Sequence, residues 1–280
     1  MDNDALIAAN DEHGMYPTPT AGKRTPPMPN INRSFYENEF NREAKRYFIE
    51  DCKRQGLRTF DVKPTGVDVS LSERARRVNN AGADLLVTFA YNAGRDPNNF
   101  TGSEGFEVYY SNRNRYPSRS RELAQLIVNY LSQKSIKQVN RGVKEANFYL
   151  LRTVNCPSVI VEAGFLTNFR EAKLMMDPDF QKEIGEACCQ AVCDFLNVPY
   201  KKNNPFRHPL LKRGSKGREV RYLQHKLLSK LYYSGLVDDV FGLSTENAVK
   251  AFQKEHGLKA DGIVGWRTWN LLKRVGGGRN

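Results

Sequence analysis

Pro157-Ser158-Val159-Ile160-Val161-Glu162-Ala163-Gly164-Phe165-Leu166-Thr167-Asn168 decides how the chain is read. Apolar and β-branched residues run straight into a carboxylate. A run this short, bounded by Pro and Gly, predicts a buried strand. A carboxylate at the C-terminal end of a buried strand is costly unless it is paired, near a metal, or at work on a proton. Gly164 and the Leu-Thr-Asn that follows let the chain turn sharply over the strand end. In an α/β sheet that edge is where sites form. A strand-end Glu in water or in a salt bridge is the plainer alternative, and this segment alone does not choose between the two.

Working outward, the apolar runs Ala5–Ala9, Leu57–Val62 and Ala83–Ala90 read as further strands, the last of them central. Gly105–Ser111 alternates apolar and polar residues as an edge strand does. Asn147–Arg152 reads as another short strand. Between them lie helical patterns: Glu37–Gly56 with Phe40, Ala44, Tyr47 and Phe48 on one face, then Ser72–Asn80, Arg119–Ser132 and Asp179–Leu196. Strands alternating with helices predict an α/β domain, a mostly parallel twisted sheet flanked by helices, over residues 1–198. The Pro/Thr/Gly stretch Tyr16–Pro29 is of a length that marks a functional or disordered loop.

Residues 199–210, rich in Pro, Asn, Lys and Arg, read as a linker to a small C-terminal three-helix module, residues 211–280. That module holds an internal repeat. Asp238-Asp239-Val240-Phe241-Gly242-Leu243-Ser244-Thr245 matches Asp261-Gly262-Ile263-Val264-Gly265-Trp266-Arg267-Thr268, each half ending in a Thr expected to cap a helix.

Length and composition agree with this division. A chain of 280 residues has room for one large domain and a small one. Hydrophobic and charged contents of 40% and 26% are those of a soluble globular protein, and no apolar run reaches the length of a membrane span. The acidic start, Met1-Asp2-Asn3-Asp4, lacks a basic n-region, so no secretory leader is expected. Cys52, Cys156, Cys188, Cys189 and Cys193 make an odd count, which predicts reduced thiols. The net charge of +12 is uneven: residues 200–280 hold 17 basic against 6 acidic side chains, residues 1–199 hold 26 against 25. A basic C-terminal part predicts an anionic polymer as partner, either nucleic acid or an anionic bacterial surface.

Three polar residues stand at the ends of expected elements: His13, Glu37 and Glu162. His and Glu are ligand types suited to zinc. Taken singly, a loop His also suits the surface, and a Glu in a first helical turn also suits the helix dipole.

Residues 5–197 resemble the zinc-dependent N-acetylmuramoyl-L-alanine amidases, which cut bacterial cell walls. The resemblance rests on His13-Gly14, on Glu37 with Asn41, on Arg74, Asn80, Ala83 and Asp84, on Gly102–Ser111, on Asn140–Lys144, and on the opening stretch, all in order. Residues 211–272 resemble a three-helix peptidoglycan-binding module through Gly214–Gly217, Val220 with Leu223-Gln224, Ala248-Val249 with Phe252-Gln253, and Asp261–Gly265 with Thr268. The resemblance implies a zinc ion held by His13 and Glu37, Glu162 as the catalytic carboxylate, and substrate contacts from Asn92 and Arg141. Glu162 would take a proton from the attacking water and pass it to the leaving L-alanine nitrogen.

One ligand of the family pattern is missing. The family's second His ends the central strand in a pattern like Val-Ser-Ile-His-Tyr-Asn-Ala, and here the segment is Val87-Thr88-Phe89-Ala90-Tyr91-Asn92-Ala93. Ala90 holds the third ligand position and has no lone pair to offer. His208, His225 and His256 all lie in the linker or the small module. Glu12 stands where the family has Gly, a change that either crowds the turn presenting His13 or is natural variation. Loss of one ligand in three predicts weak metal binding. Ala for His is the pattern an inactivating substitution leaves, with a natural pseudoenzyme as the other reading. The expectation is a chain that keeps the fold, the wall-binding module and Glu162 but has lost most of its activity.

Three functional classes follow. The first is a modular amidase cutting between N-acetylmuramic acid and L-alanine. The second is a non-catalytic cell-wall-binding protein derived from one, which Ala90 supports. The third, a nucleic-acid binder, is set aside, because the basic residues are scattered and no nucleic-acid motif occurs. Attraction to anionic cell-wall polymers accounts for the charge. The expected setting is synthesis in the cytoplasm without a signal peptide and action on the wall after release, as phage endolysins and sporulation autolysins do, with the endolysin favoured.

Overall fold

The apolar run that ends at Glu162 forms a strand buried along its whole length, and five more strands assemble around it. The computed structural model describes residues 4–14, 24–29, 31–135, 137–202 and 208–273. Most of the Tyr16–Pro29 loop and the middle of the expected linker lie outside the described residues. Two compact units result: Met1–Pro26 with Ser34–Ala172 and Asp179–Lys201, and Pro27–Arg33 with Lys173–Pro178 and Lys202–Asn280.

The elements in chain order are β1 (Leu6–Asp11), α1 (Asn38–Arg54), β2 (Arg58–Asp61), α2 (Leu71–Ala81), β3 (Leu85–Asn92), β4 (Phe106–Tyr110), α3 (Pro117–Ser132), β5 (Asn140–Glu145), α4 (Tyr149–Thr153), β6 (Ser158–Phe165), α5 (Phe169–Met176) and α6 (Pro178–Phe195). The sheet order is β2-β1-β3-β6-β4-β5. Every pair is parallel except β4–β6, so the sheet is mixed with a parallel majority. β3 and β6 sit at the centre and are covered on both faces, which is why they read as continuous apolar runs. On one face Phe48 of α1 packs on Phe89, ring centroids 5.4 Å apart. On the other, Ala8 and Leu86 pack with Val78 of α2 and Leu150 of α4. Ser70 caps α2 by accepting from the Glu73 amide, and Gly82 ends it at φ 63°, a left-handed conformation that favours glycine.

Two expectations are corrected. Gly105–Ser111 is not at an edge: β4 lies inside the sheet, antiparallel to β6 and parallel to β5. The edge on that side is β5, whose polar sequence Asn-Arg-Gly-Val-Lys-Glu suits a strand with one side in water. Asn147–Arg152 gives not a strand but the short helix α4, whose Leu150 and Leu151 both turn into the core. The five cysteines are free and buried. Among the described residues no helix is long and apolar enough to cross a membrane.

In the second unit, α7 (Arg218–Ser229), α8 (Leu243–Glu255) and α9 (Trp266–Leu272) enclose Val220, Leu223, Leu227, Val249, Phe252 and Leu272. The repeat is organised by one buried glutamine per half. Gln224 Nε2 donates to Asp238 Oδ1 (2.8 Å), the Val240 carbonyl (3.1 Å) and Thr245 Oγ1 (3.1 Å). Gln253 repeats this with Asp261 Oδ1 (3.1 Å), the Ile263 carbonyl (2.9 Å) and Thr268 Oγ1 (3.3 Å). The two threonines are therefore not helix caps. The cap positions belong to Gly242 and Gly265, and each Thr lies in the first helical turn facing its glutamine.

Candidate active site

The C-terminal end of β1 is clamped from several sides. Buried Asp11 pairs with Lys45 Nζ (2.5 Å) and Lys63 Nζ (2.9 Å) and accepts from Asn38 Nδ2 (2.6 Å). Burial opposes the charge on Asp11, but the two ammonium groups outweigh it and hold the carboxyl below its usual range. Arg74 of α2 donates to Asn10 Oδ1 (3.0 Å), to the Asp11 carbonyl and to Asp68 Oδ1 (2.7 Å). Arg74 was legible as a family match; the structure gives its task, which is to hold the strand end.

This scaffold presents Glu12 and His13. The Glu12 amide donates to the Phe89 carbonyl (3.1 Å), and its carbonyl accepts from Asn38 (2.7 Å) and Asn41 (3.0 Å). His13 then takes a left-handed backbone, φ 57°. Two consecutive side chains of an extended strand point to opposite faces. Here His13 Nε2 lies 3.7 Å from Glu12 Oε2 and 3.5 Å from Glu37 Oε2. Gly14 allows the close passage that follows, since a Cβ there would come within 2.7 Å of the Asp68 amide nitrogen.

Glu37, fully buried, precedes α1. Its Oε1 accepts from the Tyr91 amide (2.9 Å) and from Asn41 Nδ2 (3.5 Å), which leaves Oε2 directed at His13. One donor atom each from Glu12, His13 and Glu37 falls within 4.8 Å of the other two. Ala90, 1% exposed, adds none; its methyl packs with Leu151, Ile160 and Tyr109.

Across the sheet, Ala90 pairs with Glu162 and Glu162 with Glu107. Glu162 is 6% and Glu107 3% exposed. Glu107 gathers the two residues expected to touch substrate. Asn92 Nδ2 donates to its Oε1 (2.9 Å), and Arg141 Nε donates to its Oε2 (2.8 Å). The Tyr109 hydroxyl also donates to Oε1 (2.8 Å). Burial, then the charges of Glu107 and Glu162, push the Tyr109 phenol up, so it stays a neutral donor.

The residues selected from the sequence thus fall into two groups: His13 follows β1 and Glu37 precedes α1, while Asn92 ends β3, Glu162 lies in β6 and Arg141 near the start of β5. His13 and Glu37 form one; Asn92 and Arg141 join the other around Glu107, with Glu162 beside it. Glu107 and Tyr109 were not singled out from the sequence. Their signal was the alternation of the Gly105–Ser111 segment, which places both on one face of β4.

An N-acetylmuramoyl-L-alanine amidase family model matches residues 20–194, more than half of the chain, and a peptidoglycan binding domain model matches residues 216–272. Glu12 and His13 precede the first matched segment. The chain is 25% identical over 167 residues to the YqiI protein of Bacillus subtilis strain 168, covering 60% of this chain and 78% of that one. It is 31% identical over 147 residues to the endolysin of Bacillus phage SPP1, and spans half the length of that protein. A crystal structure of an N-acetylmuramoyl-L-alanine amidase from Clostridium difficile 630 superposes with a TM-score of 0.61 at 28% identity, over 70% of this chain and 98% of that one. The six-stranded sheet, the site at its strand ends and these matches together assign the chain to the N-acetylmuramoyl-L-alanine amidase family, with a peptidoglycan-binding domain at its C-terminal end.

Proposed function

We propose that the chain hydrolyses the amide bond between the lactyl group of N-acetylmuramic acid and L-alanine in peptidoglycan, with Glu162 as the catalytic carboxylate. The observation that carries this is the placement of Glu162: a buried acid on the central strand, one strand over from position 90 and beside a polar cluster that can orient substrate. Members of this family are generally zinc-dependent, and His13 and Glu37 would hold the ion. Their donor atoms, one imidazole nitrogen and one carboxylate oxygen 3.5 Å apart, fit. Ligands about 2.0–2.1 Å from a tetrahedral zinc are roughly 3.3 Å from one another. When bound, zinc supplies Lewis acidity, making water more acidic and an amide carbonyl more electrophilic.

The chain's own groups do the rest. Glu162 takes the proton from the attacking water and delivers it to the alanine nitrogen as the C–N bond breaks. Arg141, half-exposed and anchored on Glu107, and Asn92 orient the polar groups of the substrate. Residues 1–198 act as the catalytic domain and residues 211–280 hold the wall, joined by 199–210. The basic charge of the second part adds attraction to anionic wall polymers. The biological setting that fits is an endolysin, made in the cytoplasm and acting on the wall after release.

The apolar contacts of Ala90 favour a second reading, a wall-binding protein without catalysis. Mass spectrometry of purified walls treated with the zinc-supplemented chain decides between them. The amidase reading expects peptides with a free N-terminal L-alanine and glycan with an unsubstituted lactyl group, and expects Glu162→Gln to release none while still binding walls. Walls that are bound but keep every stem peptide on muramic acid would establish the second reading.

A further inference from the structure

We infer that Glu12 supplies the third protein donor to the metal, replacing the ligand that position 90 lacks. The inference rests on the reading of His13 and Glu37 as metal donors and deepens it. The parallel register of β1 and β3 pairs Asp11 with Phe89. One step further along the same register, the lateral neighbour of Ala90 is Glu12, and the Glu12 amide bonded to the Phe89 carbonyl continues that pairing. Across the sheet the row therefore reads Glu12, Ala90, Glu162, Glu107. A donor absent from one strand can be supplied from the next, because lateral neighbours are only about 5 Å apart in a sheet.

The backbone makes the replacement possible. Three hydrogen bonds, from its own amide and to its carbonyl, fix Glu12 in place. The left-handed turn at His13 swings the imidazole to the same side as the Glu12 carboxylate. Glu12 remains 22% exposed, so its carboxylate can close the short remaining gap by side-chain rotation. The separations of 3.5 and 3.7 Å from His13 Nε2 to the two carboxylates are close to the roughly 3.3 Å expected between ligands of a tetrahedral zinc. One imidazole and two carboxylates are a donor set suited to zinc, and three protein donors leave a fourth position for water or substrate. Exchanging a neutral imidazole for a carboxylate also makes the site more negative by one charge. That strengthens attraction for the cation and softens its Lewis acidity.

The test is zinc binding by the full chain, measured by competition with a chromophoric chelator and by metal content after dialysis, with cobalt(II) absorption as a report on donor number. The unmodified chain is expected to bind one zinc and to give a cobalt spectrum of tetrahedral intensity. Glu12→Ala and the isosteric Glu12→Gln should each weaken zinc by more than about 100-fold, beyond what loss of an outer partner costs. Circular dichroism and thermal unfolding of the metal-free proteins check that the variants fold, and Glu12→Asp should recover part of the affinity. If Glu12→Ala and Glu12→Gln bind zinc as the unmodified chain does, while His13→Ala and Glu37→Gln do not, Glu12 is not a donor and the inference fails with the metal site intact. If the unmodified chain binds no zinc, the reading of His13 and Glu37 fails as well, and His13 is an ion-pair partner of both carboxylates.

Discussion

Glu107 and Glu162 stand directly opposite each other across the antiparallel β4–β6 pair, two buried carboxylates on one face of the sheet. Like charges so placed repel. The arrangement holds because Arg141, Asn92 and Tyr109 all spend hydrogen bonds on Glu107. Arg141→Met removes the cation paired with Glu107 and leaves that carboxylate to act on Glu162. kcat/KM is expected to fall by about 10–100-fold, with kcat itself reduced. A rise in KM alone would restrict Arg141 to substrate binding.

Gly14 carries a steric prediction. An added Cβ would meet the Asp68 backbone at 2.7 Å, and Asp68 is itself fixed by Arg74. Gly14→Ala should destabilise the chain by roughly 1–3 kcal/mol and displace His13, weakening zinc. Thermal unfolding and zinc competition on the same sample check both effects. Unchanged values for both would mean the loop moves aside freely.

Lys134 carries a pH prediction. Its ammonium lies between the Phe106 and Phe180 rings, 5.1 and 5.0 Å from their centroids, with Gln138 Oε1 at 2.9 Å. Burial pulls its pKa down from 10.5 to about 8. Below pH 8 the proton is bound in both states, and the buried charge costs the folded state roughly 3 kcal/mol. Between about pH 8 and 10.5 the unfolded chain holds the proton and the folded one does not, so this residue makes stability rise with pH over that window. Lys134→Met should therefore raise stability at pH 7 by about 1–3 kcal/mol and flatten that rise. Urea titrations at pH 7 and 10 measure it; variant and parent curves offset equally at both values would contradict it.

The glutamines of the C-terminal repeat carry a stability prediction. Gln224→Leu leaves the Asp238 and Asp239 amides, which donate to Gln224 Oε1 at 3.2 Å, without their acceptor. Gln253→Leu does the same to the Gly262 amide. Each should cost about 1–3 kcal/mol, seen as an earlier unfolding transition and weaker retention on walls. Equal retention by both variants would show that the module tolerates the loss.

How far the sequence could be read follows from which interactions are local. β3 and β6 were legible because strands buried on both faces are apolar throughout. β5 was not, because Asn140–Glu145 is a polar edge strand with little periodicity. α4 was mistaken for a strand because its five residues are too few for a helical period to show. His13, Glu37 and Glu162 were found through motifs at element ends. Glu12 was noticed only as a departure from pattern: its approach to His13 and Glu37 depends on one left-handed φ that no spacing reveals. Glu107 emerged only when β4 entered the sheet beside β6, a pairing between segments about 55 residues apart.

The most direct measurement is the rate of amide cleavage in purified walls by the unmodified chain as zinc is added. The account predicts that free N-terminal L-alanine appears, that the rate saturates at one zinc per chain, and that Glu12→Ala needs at least about 100-fold more zinc to reach half its maximum. A chain that binds walls but releases no L-alanine amine at any zinc concentration would contradict it.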